Sequence, residues 1–301
     1  PPNFLVPQLG GGPPIRVFVV NALKLGDVYV LSDAGTAVGF LANGDVDISG
    51  TIYVTPRAGS SHDATCRGQA SSNGHAQANG ACVEYGPGGG GGATRGGNGG
   101  RVLNGFDDGP AKLGGAVFGT DDLQPLVGGC PGGGFDNTDS DEHFPEGAYG
   151  GGAVQISSRK SINVSGSIRA NGDAGSGGGQ PVACGYSFVG GGGGGGILLE
   201  APQLTLQAGS TLSATGGDGH GCDPATSTCA LPGHGGTGSA AASSGGDVPF
   251  TTALGGNAEF FGGSGGGGVG RVRINSGTGS YTADSTAVRN AAITTGVIKT
   301  R

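Results

Sequence analysis

The sequence predicts an all-β protein of solenoid-like build. Short strands alternate with packed, polyglycine-II-like segments, and long excursions are tied by disulfides. Three observations predict this. Glycine supplies 73 of 301 residues, roughly three times the ~7% of ordinary chains. A unit of strand, glycine corner and strand recurs along the chain. Pure glycine tracts then run straight into alternating strands, as where Gly190 to Gly196 enters Ile197-Leu198-Leu199-Glu200-Ala201.

The composition also excludes several classes. Glycine costs ~1 kcal/mol per helix position relative to alanine, which argues against a helical protein. Net charge is −7 and the 15 Lys and Arg residues are scattered. No basic stripe is present to neutralise phosphates, so no nucleic-acid partner is expected. The longest apolar stretch, Ile15 to Leu31, is interrupted by Arg16, Asn21, Lys24, Gly26 and Asp27. No membrane span is expected from it. The six cysteines, Cys66, Cys82, Cys130, Cys184, Cys222 and Cys229, form an even set in a chain short of conventional core. Such a set favours disulfides and an oxidising compartment, hence a secreted or cell-surface protein. A processed chain would start as Pro1-Pro2 does, and a chain trimmed by other means would too.

Taken in order, residues 1–14 read as an extended N-terminal arm, because prolines bracket Phe4-Leu5-Val6 and a glycine triplet, against the equally weighted plainer reading of a frayed terminus. Residues 15–301 read as a single glycine-rich domain. Val17 to Val20, Val28 to Leu31 and Val38 to Leu41 are short strand candidates. Asp45-Val46-Asp47-Ile48-Ser49-Gly50-Thr51-Ile52-Tyr53-Val54 alternates apolar residues on both sides of Gly50, as two half-buried strands with a tight corner would. Ser161 to Ala170 repeats the unit about Gly166, and Gln203 to Ala214 repeats it in expanded form about Gly209. Each copy is followed by a polar, glycine-rich excursion and a glycine tract. A repeated core with variable excursions marks a stacked architecture. Every cysteine falls in an excursion and none on an expected strand. Spacing favours pairing Cys222 with Cys229, Cys66 with Cys82, and Cys130 with Cys184. Ile293 and Val297-Ile298 suit a closing strand or two.

The glycine tracts admit two readings. Flexible linkers are the common fate of Gly/Ser-rich sequence. These tracts, however, contain little serine and hold a fixed place before a strand. The expectation is therefore extended segments packed side by side, each rising ~3.1 Å per residue without internal hydrogen bonds. Their N–H and C=O groups must then find partners on neighbours, and no Cβ holds those neighbours apart.

Gly44 to Tyr53, Gly190 to Ala201 and Gly265 to Asn275 carry a resemblance. They look like the DVTISGTIDVSG-like opening, GGAxxLxA strand and GGGGGGRIRI-like closing of glycine-rich exported repeat proteins of the myxobacterial type. The similarity covers about residues 15–276. It implies export and a strand-and-glycine fold. The packed tracts are also similar to polyglycine-II bundles, although this chain has ordinary strands between its tracts and no regular Gly-X-X period.

Candidate chemistry is sparse. Asp136, Asp139 and Asp141 place oxygen ligands at a spacing that suits calcium, against the plainer reading of a solvated acidic loop. His220, Cys222, Cys229 and His234 are arranged as a zinc site would be, but the disulfide is favoured over it. Asp45, Asp47 and Glu200 are the acids on the repeated strands, and no catalytic motif accompanies them. The expected function is an extracellular structural protein, a self-assembling filament or surface-layer subunit with no catalytic role and no required cofactor. Phe4, Leu5 and Val6 would dock the arm on a neighbour, giving a homo-oligomer or homopolymer. The alternative is an adhesin or an ice- or carbohydrate-binding surface module.

Overall fold

The structure, a computed structural model, describes residues 2–30, 35–54, 65–72, 75–76, 82–84, 86–103, 111–136, 143–176, 189–221, 233–236, 242–244, 248–249 and 259–298. It is all-β, with no helix among these residues. Three sheets carry the framework. A seven-stranded sheet orders Asn3–Val6, Ile15–Val20, Ala37–Ala42, Ala153–Ser158, Gly196–Ala201, Arg271–Ser276 and Ala292–Val297. A five-stranded sheet holds Leu23–Leu25, Val46–Ile48, Ser161–Val164, Gln203–Leu206 and Thr282–Ala283. A second five-stranded sheet holds Val28–Val30, Thr51–Val54, Ser167–Arg169, Thr211–Ser213 and Val288–Asn290. The chain visits the three sheets in the same sequence on every circuit, so all pairings between circuits are parallel. All three repeated units therefore occupy equivalent places.

Period-two alternation decides which side chains are buried. Val46, Ile162 and Leu204 stand in one row, Ile48, Val164 and Leu206 in the next, and Ile52, Ile168 and Leu212 on the other five-stranded sheet. With Ile156, Leu199 and Ile274 of the large sheet they form one buried cluster. Burying each such side chain stabilises the fold by ~1.5–3 kcal/mol. Phe18 stacks on Phe40 at 5.6 Å at the same core's rim. The corner between the two smaller sheets needs glycine. A Cβ on Gly50 would overlap the Gly26–Asp27 backbone, and one on Gly166 would overlap the Gly50 carbonyl oxygen.

The N-terminal segment differs from its expectation as a free arm. Asn3–Val6 pairs antiparallel with Ile15–Val20, with Phe4 opposite Val17 and Val6 opposite Ile15. Gly10 and Gly11 adopt φ of 95° and 82°, a region glycine reaches without strain, and so reverse the chain into a hairpin. Phe4 and Leu5 are half exposed on this edge strand, while Val6 packs inward.

Between circuits the chain leaves from Thr51–Val54, Ser167–Arg169 and Thr211–Ser213, and each time a glycine run leads it back to the large sheet. Within these excursions the backbone, rather than side chains, makes the contacts. Gly190 and Gly193 donate to the carbonyls of Gly133 and Cys130. Gly191 and Gly194 donate to Gly265 and Gly268, and Gly192 and Gly195 to Asp173 and Ala170. Every third residue thus bonds the same neighbouring segment. Carbonyls of the same run accept from Ala148, Gly90, Gly217 and Gly151 on other segments. A Cβ on any residue from Gly190 to Gly195 would overlap a backbone carbonyl oxygen of a neighbour.

The disulfide sits inside this arrangement. Cys66 is bonded to Cys130, and both are fully buried. Gly91 donates to the Cys66 carbonyl and accepts from the Cys130 N–H, so one glycine holds both cysteines in register. This replaces the pairings expected from spacing, Cys66 with Cys82 and Cys130 with Cys184. Cys82 also opens a strand, Cys82–Glu84, which pairs parallel with Glu259–Phe261; a strand-free excursion was expected there. Cys184, Cys222 and Cys229 lie outside the described residues.

Candidate functional site

The outward face of the large sheet divides in two. On its first strands Ile15, Val17 and Ala37 are apolar, and Leu123 and Leu126 of the 118–126 segment cover them, with Ala153 and Leu198 completing the cluster. On the later strands the same face turns polar. Register places Ser157 beside Glu200 and Glu200 beside Asn275. Glu200 accepts from Gln155 Nε2 at 2.8 Å and Ser157 Oγ at 2.9 Å on one oxygen, and from Asn275 Nδ2 at 3.0 Å on the other. Arg273 Nε donates to Asn275 Oδ1 at 2.8 Å. The side chains thus orient one another across three strands. Gly296 leaves the room for this, since a Cβ there would overlap the Arg273 guanidinium.

A ridge closes one side and makes a groove of about 660 Å³. Thr120 Oγ1 donates to Asp122 Oδ1 at 2.7 Å and Gln124 N donates to Thr120 Oγ1 at 3.1 Å, which folds the ridge tightly. Leu123 adopts φ of 53° there and is buried, a backbone state that costs a non-glycine residue of order 1–3 kcal/mol. Three straps hold the ridge down. Gln8 bonds both backbone groups of Leu126, accepting at 2.6 Å and donating at 2.8 Å. Arg271, itself buried, pairs with Asp121 at 3.3 Å and donates to the Phe118 carbonyl. Thr294 Oγ1 donates to the Asp121 carbonyl at 2.6 Å. The hydrogen bond from Thr120 holds the Asp122 carboxyl below its usual pKa; burial opposes this, and the charge of Arg273 adds to the lowering.

Of the residues singled out from sequence, Glu200 is the one this groove uses. Asp45 accepts from Ser161 Oγ at 2.7 Å, and Asp47 lies in a row with Lys24 and Asn163 on a five-stranded sheet. Phe4, Leu5 and Val6 form the hairpin edge. Asp136 ends strand Gly133–Asp136, while Asp139 and Asp141 lie outside the described residues. No group of three or more metal-binding side chains occurs among the described residues. His234 Nδ1 stands 3.6 Å from Asp218, and burial pushes the His220 imidazole below its usual pKa. Sequence reasoning missed Gln155, Arg273 and Asn275. Asn275 had a signal, a polar column at equivalent positions once Ser157, Glu200 and Asn275 are aligned, whereas Gln155 and Arg273 align with the apolar Leu198 and had none.

No family model matches the chain, and no curated protein or solved structure matches it.

Proposed function

We propose that the chain is an extracellular structural protein: a β-solenoid braced by a polyglycine-II-like block, built to assemble with further copies. The bracing rests on the three-residue bonding period of Gly190 to Gly195, the period of an extended helix with three residues per turn and no internal bonds. Export accords with the buried Cys66–Cys130 disulfide. No helix among the described residues is long and apolar enough to cross a membrane.

The observation that carries assembly is the last circuit. Ala292–Val297 borders the large sheet, and Thr282–Ala283 and Val288–Asn290 border the other two. All three present edges on the same side of the stack. Arg289 is the one charged residue in these strands, and Val288 and Val297 are exposed. Natural edges are usually blocked by charge, proline or bulges, because unpaired groups recruit further strands. At the other end Tyr29, stacked on Tyr53 at 4.8 Å, is about two-thirds exposed and offers its outer ring face. Head-to-tail contact between such ends need not close, and it then yields a filament.

Val297 is the position at which to test this. Ala292 and Ile298 donate inward, to Gly270 and Ser276. By ladder alternation the Val297 N–H points outward. Light scattering and microscopy at rising concentration should show the intact protein assembling, and Val297→Lys should stay monomeric with an unchanged melting temperature. An intact protein that remains monomeric ends the structural reading.

A further inference from the structure

The polar half of the groove holds groups that the fold orients and leaves unused. Glu200 and Asn275 are tied to each other, but among the described residues the two terminal amino groups of Arg273 have no hydrogen-bond partner, and neither does the Gln155 carbonyl oxygen. Asp122 faces Arg273 from the ridge, and no ion pair joins them. Leu9, Pro125 and Ile298 supply apolar walls, with Leu9 strongly exposed.

We propose that this groove binds a neutral oligosaccharide. Four features select that class. Two carboxylates, Glu200 and Asp122, outnumber the single guanidinium, so an anionic ligand is disfavoured. Donor and acceptor groups come side by side and already oriented, as vicinal hydroxyls require, and they need no reorganisation on binding. The apolar walls meet the C–H faces of a sugar. Finally, the floor strands Ala153–Ser158, Gly196–Ala201 and Arg271–Ser276 are paired on both sides. They offer no free backbone edge, and the open edge of Ala292–Val297 points away from them, so an extended peptide joining it would lie beside the floor and not on it. The size lies within the ~300–1,000 Å³ of small-molecule sites. No aromatic ring lines the groove among the described residues, so the sugar gains no stacking and binding is weak.

Because the groove reaches the edge strand Ala292–Val297, the test is run on dilute protein shown by light scattering to be monomeric, so that failure to bind is kept apart from failure to assemble. The side-chain amide resonances of Gln155 and Asn275 are followed by NMR during titration with neutral linear hexasaccharides, β-1,4-glucan, β-1,3-glucan and α-1,4-glucan, with hexagalacturonate as the charged control. Saturable shifts with at least one neutral glycan are expected, and hexagalacturonate should bind more weakly. Arg273→Lys keeps the charge but loses the paired amino groups. It should weaken binding about tenfold, one lost charge-assisted hydrogen bond, while the melting temperature holds. Unmoved resonances with all three neutral glycans would overturn the proposal. So would tighter binding of hexagalacturonate, or unchanged affinity in the folded Arg273→Lys protein.

Discussion

The sheets and the glycine block solve the same problem by opposite means. In the sheets, rows such as Ile52, Ile168 and Leu212 exclude water with side chains, and backbone bonding runs only between neighbouring strands. In the glycine block no side chain intervenes. Gly190 to Gly195 bond neighbours in several directions at once, and those neighbours lie where a Cβ would stand. A side-chain core can relax around a lost methyl group. Backbone packed on backbone has nothing to yield. The block should therefore be the less tolerant region, although its chemistry is the simpler.

Substitution should expose that contrast. Gly193→Val drives a side chain into the Gly91 carbonyl, and a cost above ~4 kcal/mol is expected, the exceptional end for a single change. Loss of the Cys66–Cys130 bond, which spans a separation of 64 residues, comes next. Its loop entropy corresponds to about 4 kcal/mol, so the Cys66→Ser, Cys130→Ser protein should unfold at markedly lower denaturant. Ile168→Val, in the fully buried row of a five-stranded sheet, should cost only about 1 kcal/mol. Urea melts of the three variants would give this order. A Gly193→Val protein as stable as Ile168→Val would erase the distinction between the two regions.

The sheet framework was legible because its signal is local. The alternation about Gly50 and Gly166 predicts both strands and the corner, and the structure places both glycines where a Cβ would strike the preceding circuit. The disulfide was not legible from spacing. Cys66 and Cys130 meet because Gly91 lies between them in the block, and that register is set by several distant glycine runs. The N-terminal hairpin was hidden for a different reason: prolines suggested an extended arm, while the reversal depends on two positive φ values at Gly10 and Gly11. Glu200 was visible as an acid on a repeated strand. Its partners Ser157 and Asn275 become visible only when the parallel register is known.

Amide hydrogen exchange of Gly190 to Gly196 tests the central claim most directly. Each of these residues donates to a carbonyl of another segment, at 2.7 to 3.0 Å, and each is buried. Slow exchange should therefore extend along the whole run, matching Ile162 and Ile168 in the sheets, without the alternate fast amides of an edge strand. Exchange at the rate of an unstructured glycine chain would contradict the account, leaving an all-β framework joined by loose tracts.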